Sequence, residues 1–106
     1  MYTIKLMNEF LHGPIWVYDE DGFIREKYPL IDNDEELKEL NEKARNLYDS
    51  FYSFNDGESA CVFDEEGYQA AYGEMCKIIE KIVQKLHTIN DNDFVIEDHI
   101  TKRDID

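Results

Sequence analysis

From Tyr68 to Ile89, apolar side chains recur at three- and four-residue steps: Tyr68, Tyr72, Met75, Ile79, Ile82, Leu86 and Ile89. Such a stripe lies on one face only in an α-helix, so this segment predicts a helix of about seven turns. Asp64 stands where an N-cap is needed, and "NDND" at 90–93 breaks the pattern. A long one-sided helix must bury that side, so the remaining chain has to supply the opposing surface.

A second stripe precedes it. In "NDEELKELNEKARNLYDSFYSF", Leu37, Leu40, Ala44, Leu47, Phe51 and Phe54 align on one side, predicting a helix that runs to Phe54. Asn33 with Glu36 fits a capping box, and "NDG" at 55–57 is the expected stop. The other apolar segments are too short for helices. "YTIKLM", "SACVF" and "FVIEDHI" read as strands, and "PIWVY" and "FIREKY" as two arms of a hairpin. The expectation is a single α+β domain over 1–106, in the order β-β-β-α-β-α-β. A mixed or antiparallel sheet of four to five strands would carry the two helices, with "TKRDID" fraying at 101–106. A hydrophobic content of 42% with 13% aromatics is ample for that core.

The hairpin turn holds the first functional question, because "YDEDGF" places Asp19, Glu20 and Asp21 against Gly22. A calcium loop of the EF-hand type needs oxygen ligands at positions 1 and 12 around a glycine at 6. With Gly22 at 6, those positions fall on Val17 and Tyr28, so the segment reads as a turn and not a metal loop. His12, His87 and His99 show no metal-ligand spacing, and His99 and Asp98 would point to opposite faces of a strand. Cys61 and Cys76 form no redox or zinc motif and read as small apolar residues in a reducing compartment. "FNDGES" has one glycine among anionic neighbours, which suits no phosphate. No nucleophile–base pair is visible, so the expectation is a binding protein without catalytic, metal or cofactor sites.

Charge then narrows what it binds. Twenty-five acidic residues against eleven lysines and arginines give a net charge of −14, which repels nucleic acid and anionic membranes. The start of the chain has no basic region followed by an apolar run, which points to the cytoplasm. At about 100° per residue, Glu35, Glu39, Glu42 and Asp49 lie opposite the first apolar stripe, forming an acidic ridge flanked by Lys38, Lys43 and Arg45. Lys77, Lys81 and Lys85 form a contrasting basic stripe on the later helix. Acid is concentrated in the ridge, in Asp19–Asp21, and in Asp56, Glu58, Asp64, Glu65 and Glu66. Tyr48 and Tyr52 stand one helical turn apart beside the ridge, as interface anchors or as a roof on the core. Trp16 is expected to pack under a helix.

The whole profile resembles the small acidic immunity proteins of contact-dependent growth inhibition and related bacterial polymorphic toxin systems. The resemblance rests on the length, the acidity, "GPIWVYDEDGF", the two amphipathic helices, "CVFD" and "FVIEDHI". It implies a partner that is a basic toxin domain, often a nuclease, neutralised in a 1:1 complex when its cationic surface is covered. The same physics would serve a phage-type nucleic-acid mimic that blocks a host nuclease or CRISPR effector. A non-inhibitory acidic adaptor is a third expectation.

Overall fold

Alternation in "YTIKL" sends Ile4 and Leu6 inward with no exposed surface, while Thr3 and Lys5 point away from the core. In the computed structural model, which describes residues 1–9, 12–54 and 61–101, this strand, β1 (Tyr2–Leu6), is the centre of a mixed sheet. It pairs antiparallel with β2 (Ile15–Tyr18), with Ile4 opposite Val17. On its other side it pairs parallel with β5 (Phe94–Asp98), with Tyr2 opposite Phe94 and Leu6 opposite Asp98. The order is β2-β1-β5, so the α+β class stands with three strands in the sheet, not four or five.

The helices follow the apolar stripes. A short turn, α1 (Pro29–Asp32), precedes α2 (Glu35–Asp49), and α3 (Glu65–Ile89) is the longest of the three helices among the described residues. Met75, Ile78, Ile79, Ile82 and Leu86 of α3 meet Leu37 and Ala44 of α2 and Ile4, Leu6, Val17 and Phe94 of the sheet. Each large side chain buried there stabilises the fold by roughly 1.5–3 kcal/mol relative to exposure. At about 1.5 Å per residue, α3 spans about 37 Å.

Four expectations need correction. "FIREKY" forms no strand; a single bridge, Tyr18 to Ile24, closes the hairpin and the chain then leaves the sheet. Neither alternating face of that segment is apolar throughout, so pairing it further would bury Arg25 and Lys27 or Glu26. The cap of α2 is Asp34, whose Oδ1 accepts from Leu37 N at 3.0 Å; Asn33 instead closes α1 through its amide to Pro29 O. Next, α2 ends at Asp49, five residues short of Phe54. Ser50 caps it, its hydroxyl donating to Leu47 O at 2.6 Å. The following Tyr52–Phe54 becomes a strand, β3, paired antiparallel with β4 (Cys61–Phe63) as a separate two-stranded ribbon. Aromatic packing explains the change, since Phe51 contacts Phe63 and Tyr68 edge-on, with ring centroids at 6.4 and 5.7 Å. Finally, Trp16 is not packed in the core under a helix but half-buried, lining a cleft with Lys38 and Asn41 of α2. Val17 is buried, so Trp16 lies on the opposite face of the sheet, stacked on His12 at 3.8 Å and donating Nε1–H to Met7 O at 3.0 Å.

Asp64 does cap α3, accepting from Gly67 N at 3.0 Å. Cys76 is a half-buried free thiol. The "NDG" stop at 55–57, the "FNDGES" segment beyond Phe54 and the tail from 102 onward lie outside the described residues, as does the side chain of Cys61. Among the described residues, no helix is long and apolar enough to cross a membrane.

Candidate functional site

The hairpin turn is built around one of its own acids. Asp19 is only 6% exposed. Its Oδ1 accepts from the amides of Asp21 at 2.9 Å and Phe23 at 3.0 Å, and its Oδ2 accepts from Arg25 Nε at 2.8 Å. The Phe23 amide does most to hold the Asp19 carboxyl below the ordinary carboxylate range; the Asp21 amide and the Arg25 charge add to this against the opposing effect of burial. Gly22 takes φ +84° at the end of the three-residue loop, a left-handed position that favours glycine. The expected turn is therefore present, with Glu20 and Asp21 exposed and Asp19 occupied inside it.

Beyond the turn, Phe23 and Ile24 are 69% and 53% exposed. Sequence reasoning placed them on a strand and missed this apolar tip. The signal was present in the charged residues that follow, Arg25 to Lys27, which leave no apolar face to bury.

On α2 the acids sit where helical spacing puts them. Glu35, Glu39 and Glu42 are exposed and Asp49 is half-buried. Lys38 approaches Glu35 and Arg45 approaches Glu42 at 3.9 Å each, exposed pairs worth about 0–1 kcal/mol. The ridge does not continue to the hairpin turn. Between them lies a cleft of about 430 Å³ whose lining includes Arg25, Lys38 and Arg45 with Trp16, Tyr28 and Asn41. Asn41 fits there because Gly13 has no side chain; its Oδ1 accepts from Ile15 N at 3.2 Å.

At the other end of α2, its last turn meets the start of α3. Asp64 N donates to Phe51 O at 2.7 Å, bringing the end of α2 beside Asp64, Glu65 and Glu66, all exposed. Asp56 and Glu58 lie outside the described residues. The basic stripe of α3 is partly consumed internally: Lys77 and Lys81 are exposed, whereas Lys85 Nζ reaches Glu36 at 3.1 Å and Asp34 at 3.6 Å. Its hydrogen bond to Glu36 is the main reason its pKa is raised, with the Asp34 charge next.

Tyr48 and Tyr52 belong to an aromatic cluster at this same end. Their hydroxyls are 3.3 Å apart, and both rings pack on Phe63, at 5.5 and 4.8 Å. Tyr48 also meets Tyr68 edge-on at 5.8 Å, and Tyr68 leans on Tyr72 at 5.9 Å. Burial is the first cause of the raised pKa values of Tyr48, Tyr68 and Tyr72, so these phenols stay protonated at neutral pH. Tyr48, Phe63, Tyr68 and Tyr72 of the cluster line an open cleft of about 560 Å³ past the carboxyl ends of β1 and β5, together with Asn8, Ile100 and His99. His99 Nε2 lies 3.1 Å from Glu97 Oε1. Among the described residues, no group of three histidine, cysteine or acidic side chains is placed to hold a metal ion.

The arrangement thus offers a displayed acidic helix face on α2, an acidic start to α3, and an aromatic cleft that Glu65 of that start lines. Comparisons with known protein families, characterised proteins and solved structures returned no match.

Proposed function

We propose that this chain is a stoichiometric inhibitor, an immunity protein that binds one cationic toxin domain and covers its substrate-binding surface. The single observation that carries the reading is the exposed ridge Glu35–Glu39–Glu42 on a chain of net charge −14. A surface of this kind steers a cationic partner electrostatically and raises the rate of encounter, while apolar and aromatic anchors at the contact set the residence time. A nuclease suits it best, because a nuclease must present a positive groove to its substrate. The inhibitor acts by occupancy in a 1:1 complex, with no catalysis, cofactor or metal, and it works in the cytoplasm.

The test starts from the gene's neighbourhood. The open reading frame immediately upstream should end in a basic toxin domain that forms a stable complex with this chain. Stopped-flow association at low salt should slow about tenfold or more when Glu35, Glu39 and Glu42 are replaced by lysine, with a flatter salt dependence. Unchanged association kinetics in the triple variant would remove α2 from the interface, and a neighbouring product that does not bind would remove the immunity reading.

A further inference from the structure

We infer that the cleft beside α3 receives an arginine side chain from the cationic partner, stacked against its tyrosine wall with its charge facing Glu65. The identity of the partner rests on the proposed function; the chemistry of the cleft does not. Its volume of about 560 Å³ is ample for a long side chain and the backbone on either side of it. Tyr48, Phe63, Tyr68 and Tyr72 line it, and aromatic faces attract cations, a planar guanidinium more than a compact ammonium.

The polar groups favour the same sign of charge. Glu65 lines the cleft and no lysine or arginine does so among the described residues. Tyr72 gives its hydroxyl hydrogen to Ile100 O at 2.8 Å and also lies in hydrogen-bonding contact with Cys76, which holds that ring in place. Asn8 Nδ2 already donates to the Tyr68 oxygen at 3.1 Å, holding that ring in place. Protonation of the buried phenols keeps the wall neutral, so attraction comes through the ring faces and not through a phenolate. Asp64 and Glu66 flank Glu65 in the exposed first turn of α3, and Asp64 caps the amide of Gly67, offsetting the positive end of the helix. A phosphate would meet repulsion from the same groups.

Amide nuclear magnetic resonance on the full chain tests this without the toxin. N-acetyl-L-arginine methylamide is titrated against its neutral isostere, N-acetyl-L-citrulline methylamide. Arginine should move the amides of Asn8, Gln69, Tyr72 and His99, with citrulline about tenfold weaker. Glu65→Gln, on an exposed side chain, should weaken arginine about three- to tenfold. Gln69→Arg, which places a guanidinium at the mouth without removing a ring, should suppress the shifts. Equal response to citrulline, or shifts spread along Glu35–Glu42 and unaffected by Glu65→Gln, would overturn the inference. Localised arginine shifts with no binding of the neighbouring toxin domain uphold the cleft and remove the inhibitor reading. Ridge-dependent toxin binding without cleft shifts does the reverse.

Discussion

The turn at Asp19–Gly22 and the outer face of α2 are both dense in acid, yet they use it in opposite ways. In the turn, Asp19 is turned inward and accepts two backbone amides and the Arg25 guanidinium, so its charge organises the loop. On α2, Asp34 caps the helix start, so Glu35, Glu39 and Glu42 are not needed by the backbone; they face solvent, with only exposed pairs from Glu35 to Lys38 and Glu42 to Arg45. An acid in a tight turn is drawn into bonding its own backbone, whereas an acid on the outer side of a helix is left for a partner. Acid density in a sequence is therefore a poor guide to a binding surface until the local backbone's needs are subtracted.

The contrast can be attacked from the inside of α2 first. Leu37, on the same helix as the ridge but fully buried, should cost about 2–5 kcal/mol as Leu37→Ala, read from urea unfolding. A smaller loss is expected in the turn. Asp19→Asn should lower the urea midpoint at neutral pH by weakening the tie to Arg25. Because the folded carboxyl titrates below its ordinary value, its contribution is present above pH 3.8 and is lost as pH falls through the lower folded value. The gap between variant and parent should therefore narrow in acid; a gap that is constant with pH would mean that shape, not charge, matters at Asp19. The smallest effects should come from the displayed acids. Glu20→Gln and Glu39→Gln should each change stability by no more than about 0.5 kcal/mol, and a larger loss at Glu39 would show that the ridge has a structural duty after all.

Much of this was legible in the residues. The Tyr68–Ile89 stripe and the Asp64 cap predict α3 to within a residue, because periodicity and capping are local properties of the chain. The Asp21–Gly22 turn, the strand character of "YTIKL" and "FVIED", and the orientation of Glu35, Glu39 and Glu42 are local in the same sense. Where the reading slipped, a distant partner intervened. Phe51 and Phe54 continue the helical spacing of α2, but Phe63 and Tyr68 offer Phe51 better aromatic contacts, and pairing with β4 makes Tyr52–Phe54 a strand. Lys85 reads as a displayed cation until α2 brings Asp34 and Glu36 to it. Nothing in the spacing of Asn8, Tyr48, Tyr68 and His99 announces a shared cleft, since they come from four separate parts of the chain.

By itself, then, the sequence determined the α+β class, the buried and exposed sides of both long helices, the hairpin turn and the overall negative charge. Each of these depends on neighbours within a turn or two along the chain, or on a sum over all residues. Only the tertiary structure decided which acids are consumed and which are displayed, how the sheet is ordered, and where the aromatic rings converge. Those depend on which remote segments come into contact, and a contact of that kind is set by the packing of the whole core and by no single stretch of residues.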